Sequence, residues 1–238
     1  MAAFLLIHGA WHGAWCWDKT AAALRAGGHD VMAIDLPSHG DDPTPAAEVT
    51  LDSYVERISE ALAAIGGPAI VVGHSMGGIA ITAAAEAFPD RIAKLVYLTA
   101  FLPRNGESLL ALEGRNPKPA VPPALVISET EPTATLQDDL IVPLFFHDCT
   151  PQDQQMATAR LTPQSLAPMS TELVLTPERF GSIQRIYIEG TDDRAISLEL
   201  QRDMHGTSGV HAVLSLDASH SPFLSMPEAL ADQLASLA

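Results

Sequence analysis

The sequence predicts an α/β fold: a mostly parallel sheet of about six strands, flanked by helices and interrupted by an inserted cap. Three observations lead there. Short apolar runs, often β-branched, alternate with alanine-rich stretches of helical length. Glycine, proline or aspartate turns bound most of these runs. Eleven of the 18 prolines fall between positions 101 and 180, where the alternation is lost and long strands are excluded.

Phe4–Ile7 reads as the first strand. A helix over about Trp17–Ala26 follows, stopped by Gly27-Gly28. Val31–Ile34 is the next strand and ends at Asp35-Leu36-Pro37. After a loop over Ser38–Val49, Thr50 can cap a helix that reaches Ile65, where Gly66-Gly67-Pro68 breaks it. Ala69–Val72 is a strand, and the segment from Gly73 to Gly78 leads into a helix that stops before Pro89. Lys94–Leu98, Arg185–Glu189 and His211–Leu216 complete the strands, and a helix over about Pro227–Leu237 ends the chain. Alternating strands and helices argue for a parallel sheet covered on both faces.

This rhythm assigns residues 1–100 and 181–238 to the core and 101–180 to the cap. Within the cap, Thr150-Pro151-Gln152-Asp153 has the form of a helix start, with a capping hydroxyl, proline in the first turn and an acid beside it. The run Leu140–Phe146 is hydrophobic enough to pack over the core. With Met156, Leu161 and Met169 it is expected to line an apolar pocket.

A chain of 238 residues can bury roughly 70% of its unfolded surface and needs no metal or disulfide to hold it. Its 13 Lys+Arg against 29 Asp+Glu leave a formal charge of −16, which excludes nucleic acid and disfavours anionic membranes. The two cysteines, Cys16 and Cys149, are expected to be reduced thiols. The apolar N-terminus is short, lacks basic residues and runs into His8-Gly9, so it reads as a strand and not a signal peptide. No run reaches the roughly 18 apolar residues of a membrane span. A cytoplasmic protein is expected, and oligomeric state is unreadable.

Gly73-His74-Ser75-Met76-Gly77 fits G-x-S-x-G between a predicted strand and a predicted helix, the context of a nucleophile elbow. Small glycines permit the sharp turn, and the serine lies beside a helix N-terminus whose free N–H groups favour negative charge. A serine needs a histidine base, itself oriented by a carboxylate. His220, just past the last strand, stands where the order Ser…Asp…His requires the base. Asp192 and Asp193 both follow the Arg185–Glu189 strand at the sheet edge where such sites lie. Asp35 precedes the serine and is read as bracing its turn, and Asp217 is too near His220 in sequence. Two backbone donors are needed for an oxyanion: Met76, after the serine, and Ala10, in the loop after the first strand. Gly9, Trp11, His74 and Phe145 are the expected pocket residues. His8 and His12 are four apart, but they flank a loop with no following carboxylate, so no metal is expected.

Taken together, Phe4-Leu5-Leu6-Ile7-His8-Gly9-Ala10-Trp11-His12-Gly13-Ala14-Trp15-Cys16-Trp17 and the Gly73–Gly78 motif resemble the α/β-hydrolase superfamily. More narrowly they resemble its branch of plant hydroxynitrile lyases, plant methylesterases and bacterial pyrethroid-hydrolysing carboxylesterases. Arg185-Ile186-Tyr187-Ile188, Asp193-Arg194-Ala195-Ile196, Gln201-Arg202, His220 and the stretch from Cys149 to Leu161 extend the likeness over nearly the whole chain. The resemblance implies an α/β-hydrolase fold and makes Asp193, not Asp192, the acid. It also implies a cofactor-independent serine carboxylesterase acting on uncharged, hydrophobic small-molecule esters through an acyl-enzyme. Lyases of the branch carry threonine after the first histidine and lysine after the catalytic one. Here those positions are Gly9 and Ser221, which argues against carbon–carbon cleavage. A non-catalytic ligand-binding protein on the same fold is the remaining alternative.

Overall fold

The computed structural model describes residues 1–238. Six strands form the main sheet: β1 (Ala3–Ile7), β2 (Asp30–Ile34), β3 (Ala69–His74), β4 (Ile92–Leu98), β8 (Gln184–Gly190) and β9 (Ala212–Leu216). A separate small sheet holds β5 (Leu125–Ile127), β6 (Thr133–Leu136) and β7 (Gln164–Ser165). The helices are α1 (Asp18–Ala26), α2 (Leu51–Ile65), α3 (Gly77–Ala87), α4 (Leu109–Glu113), α5 (Asp138–Ile141), α6 (Pro151–Arg160), α7 (Ala167–Ser170), α8 (Leu198–Thr207), α9 (Pro222–Ser225) and α10 (Pro227–Ala235).

The main sheet runs β2-β1-β3-β4-β8-β9, and every neighbouring pair is parallel. Parallel strands need crossovers, which the alanine-rich helices supply. All six residues of β3 are buried, as are the last four of β1 and of β4 and the last six of β8. Burial of successive residues means that both faces of the sheet centre are covered. The edge strands β2 and β9 are more exposed. The strand order reverses between β1 and β3, so a crevice opens beyond their C-terminal ends. Their register sets Ile7 beside Gly73.

Helix ends follow local chemistry. Thr50 and Ser53 form a reciprocal capping box on α2, and Gly66 closes that helix at φ +77°. Thr150 accepts from the Asp153 amide at the start of α6. The C-terminal helical segment is broken in two at Met226, because the residue before Pro227 is driven out of helical geometry (φ −136°, ψ 49°).

Between β4 and β8 lie α4 to α7 and the small antiparallel sheet. The hydrophobic Leu140–Phe146 run becomes α5 followed by a π-helical turn over Val142–Phe146. Pro143 removes a helical N–H there and crowds the preceding turn, which favours the wider winding. Leu144, Phe145 and Phe146 are buried. Polar ties join this segment to the rest. Trp11 Nε1 donates to the Ala134 carbonyl (2.9 Å), the Thr162 amide donates to the Trp11 carbonyl (2.9 Å), and Lys19 pairs with Asp153 (2.7 Å). Cys16 and Cys149 are buried free thiols. No helix is long and apolar enough to cross a membrane.

Helix α3 meets its neighbours at bare backbone. A Cβ on Gly78 would lie 2.1 Å from the Phe101 carbonyl oxygen, and one on Gly77 2.7 Å from that of His8. Neither oxygen can swing aside as a side-chain tip could. Gly78→Ala should therefore destabilise the protein by ~1–3 kcal/mol or more, read as a lower denaturant midpoint. An unchanged midpoint would contradict this close approach.

Candidate active site

The turn from β3 into α3 places Ser75 at φ +52°, a left-handed conformation that costs a non-glycine residue about 1–2 kcal/mol. Three backbone hydrogen bonds hold it there. The Ser75 amide donates to the Leu98 carbonyl (3.3 Å), and the Ser75 carbonyl accepts from the Gly78 and Phe101 amides (3.0 and 3.1 Å). Across the crevice, the loop after β1 turns at Trp11, also left-handed at φ +63°. Neither the Ala10 nor the Met76 amide donates a hydrogen bond within the protein, and both residues line the same cavity as Ser75. Two free donors beside a hydroxyl suit a transient oxyanion.

His220 follows β9 and Asp193 follows β8, and both are buried. His220 Nδ1 donates to Asp193 Oδ2 at 2.8 Å. The other oxygen of Asp193 accepts from the Ala195 and Ile196 amides (2.8 and 3.0 Å), and Gln201 Nε2 adds a donor to Oδ2 (3.2 Å). Four donors converge on one carboxylate, and these hydrogen bonds offset the cost of burying it. They also fix the His220 tautomer, leaving Nε2 as the acceptor. The ring's hydrogen bond is to Asp193, and none joins it to the Ser75 hydroxyl in this structure; such contacts commonly tighten only when substrate binds.

Asp192 points the other way, with its side chain 60% exposed and its Oδ2 2.9 Å from His147 Nε2. Asp217 accepts from Thr191 Oγ1 (2.9 Å). Asp35 accepts from the Ala14 and Asp41 amides (2.6 and 3.2 Å), so it braces its turn.

Two expected pocket residues do not line the cavity. His74 is fully buried behind the serine, its Nε2–H donating to the His220 carbonyl (2.9 Å) and its ring 4.6 Å from that of His220. Gly9 is buried against it, and a Cβ there would lie 2.7 Å from Ser75 Cβ and 2.8 Å from His74 Nδ1. Both support the elbow from behind. Burial holds the imidazoles of His8 and His74 well below the usual histidine range and pushes His12 down to about 4, so all three are neutral at physiological pH. His8 spends both nitrogens on the Gly9 carbonyl and the Leu36 amide, and His12 Nδ1 donates to the Ala10 carbonyl.

The cavity above Ser75 encloses about 60 Å³. Trp11, Phe145 and Met169 line it as expected, together with Leu109, Leu110, Val121 and Leu125. Met156, Leu161 and the rest of the Leu140–Phe146 run do not reach it, because their positions face other parts of the packing. The sequence reading missed Glu113, the only charged residue in the lining. A lone acid ending the apolar run Leu109-Leu110-Ala111-Leu112 was the available signal. Burial pushes its carboxyl up to about 7, and the charge of Asp193 acts in the same direction.

A family model described as the alpha/beta hydrolase family matches residues 4–233. Methylesterase 7 of Arabidopsis thaliana is 34% identical over 99% of this chain and 95% of its own length. A pyrethroid hydrolase of Sphingobium wenxiniae is 35% identical over 98% of this chain and 86% of its own. The solved structure of a pyrethroid hydrolase from Sphingobium faniae JZ-2 matches with a TM-score of 0.90 at 30% identity, covering 99% of this chain and 96% of that one.

The raised carboxyl of Glu113 makes a stability prediction. Its folded-state proton affinity exceeds the unfolded one, so its contribution is fully present below the ordinary glutamate value of 4.5 and is lost as pH rises through about 7. Glu113→Gln removes that loss. The Tm of the variant minus that of the wild type should increase from pH 4.5 to pH 8; a pH-independent difference would contradict the burial of the charge.

Proposed function

Because the chain belongs to the alpha/beta hydrolase family, we propose that Ser75, His220 and Asp193 are the catalytic triad of a serine carboxylesterase, with Ala10 and Met76 as oxyanion donors. The observation that carries this reading is their convergence at one sheet edge. A strained serine, two free amides and a buried histidine–carboxylate pair come from the ends of four separate strands.

In the first half-reaction the Ser75 hydroxyl attacks the ester carbonyl carbon while His220 Nε2 takes its proton. Negative charge gathers on the former carbonyl oxygen and is met by the Ala10 and Met76 N–H groups. The carbon–oxygen bond to the alcohol breaks, and His220 returns the proton to the departing oxygen, leaving an acyl group on Ser75. Water then attacks the acyl carbon, its proton passing to His220 and on to Ser75 as the carboxylic acid leaves. Asp193 holds the ring and stabilises the imidazolium without itself taking the proton.

The apolar lining supports small-molecule esters that are uncharged and largely hydrophobic, of the kind that methylesterase and pyrethroid hydrolase relatives suggest. Residues 101–180 act as the cap over this cavity. Gly9 and Ser221 stand in the two positions where the lyase branch carries threonine and lysine, and a threonine Cβ at position 9 would collide with Ser75.

Release of p-nitrophenol from short p-nitrophenyl esters tests the proposal. Ser75→Ala and His220→Ala should each lower kcat by several orders of magnitude with the fold retained. Asp193→Asn should cost on the order of 10³–10⁴-fold, and Asp192→Asn less than about threefold, as expected for an exposed side chain outside the triad. Labelling of a serine other than Ser75 by an organophosphate, or a larger loss at Asp192 than at Asp193, would overturn the assignment.

A further inference from the structure

Glu113 has a place in the cavity that the triad does not use. Apart from Ser75 and Glu113, every lining residue is apolar. Placing a carboxyl among such residues is costly unless hydrogen bonds compensate it. The protein supplies one donor group: Asn116 Nδ2 lies 3.2 and 3.4 Å from the two oxygens of Glu113. That orientation of Asn116 is fixed by its other end. Asn116 Oδ1 accepts from Ser197 Oγ (2.8 Å) and from the Lys118 amide (3.1 Å), so the amide nitrogen must face Glu113. Asn116 is itself buried, and Ser197 caps α8 a few residues after Asp193. The carboxyl is therefore held in place from the Asp193 side of the site.

A carboxylate offers about four acceptor positions, and one amide group leaves most of them open. A site built only for hydrocarbon would be served better by leucine here, as at Leu109 and Leu110. A held but largely unpartnered acceptor in an apolar cavity is the arrangement by which ligand pockets fix orientation and select one functional group. We propose that Glu113 is a specificity-determining residue that accepts a hydrogen bond from a hydroxyl group carried by the ester substrate, away from the bond that is cleaved.

This inference rests on the esterase reading and narrows it: the preferred ester is hydrophobic with one hydroxyl, not hydrocarbon throughout. A hydroxyl is favoured over an ammonium because a charged partner would itself have to be desolvated in the cavity. Burial pushes the Glu113 carboxyl up to about 7, with the Asn116 hydrogen bond opposing it, Asp193 adding to it and His220 opposing it. A hydroxyl can bond to either protonation state.

The test uses two shape-matched pairs, 4-(hydroxymethyl)phenyl acetate against 4-ethylphenyl acetate, and their 3-substituted counterparts. The readout is the ratio of kcat/KM within each pair, for wild type, Glu113→Leu and Glu113→Gln. In at least one pair, Glu113→Leu should lower the hydroxyl-to-ethyl ratio by about tenfold, as expected for loss of a hydrogen bond to a charged or polar acceptor, and mainly through KM. Glu113→Gln keeps a carbonyl acceptor and should lower it by no more than about threefold. Ratios within twofold of wild type in both pairs for Glu113→Leu, whether or not both members of each pair slow equally, would overturn the inference and leave the esterase reading standing. Absence of turnover in wild type would instead overturn the esterase reading. Calorimetric binding of the corresponding hydroxymethylphenols and ethylphenols then reports the same ratios, and the same thresholds decide.

Discussion

The site depends on how closely the N-terminus of α3 packs against the ends of β1 and β4. Gly77 and Gly78 bring that helix to within a bare backbone contact of the His8 and Phe101 carbonyls. Ser75 can occupy its left-handed conformation only because this packing, with the hydrogen bonds to Leu98, Gly78 and Phe101, over-determines the turn. The same approach carries the Met76 amide and the loop at Ala10 to one cavity. Relaxing the contact would move the serine, both amides and the helix N-terminus together.

The second half of the site hangs on the other side of the sheet centre. β8 and β9 deliver Asp193 and His220 from segments 27 residues apart, and their hydrogen bond is insulated from water. Rigidity here comes from satisfaction: Asp193 receives four donors, while the His220 carbonyl accepts from His74 and from Thr99 Oγ1 (3.2 Å). The segment between β4 and β8 adds its own grip. Asp148 accepts from the Ser219 amide (2.8 Å) and hydroxyl, directly before His220. The loop that bears the imidazole is thus tied to the segment that supplies much of the cavity lining.

The burial that makes the site rigid also decides its electrostatics. Five histidines lie buried around the crevice: His8, His12, His39, His74 and His220. Desolvation lowers the first four, which keeps positive charge out of the neighbourhood of the serine. Only His220 has a carboxylate on its Nδ1. Among the carboxylates, Asp193 is surrounded by donors and Glu113 is not, so two acids within one site have opposite environments.

Much of this was legible in the chain. The alternation of strands and helices, the elbow around Ser75, the Thr50 and Thr150 caps and the position of His220 are local patterns of a few residues each, and local patterns survive into the fold. By itself the sequence determined the layered parallel sheet and the serine at its edge, because periodicity and turn chemistry act within about ten residues. What only the tertiary structure decided are matters of direction. Asp193 turns inward and Asp192 outward. His74 and Gly9 stand behind the serine and not in the cavity, and Glu113 reaches the lining from the end of α4. Adjacent residues in an extended turn point apart, and which one meets a partner 27 residues away depends on strand register and loop course, which no local pattern encodes.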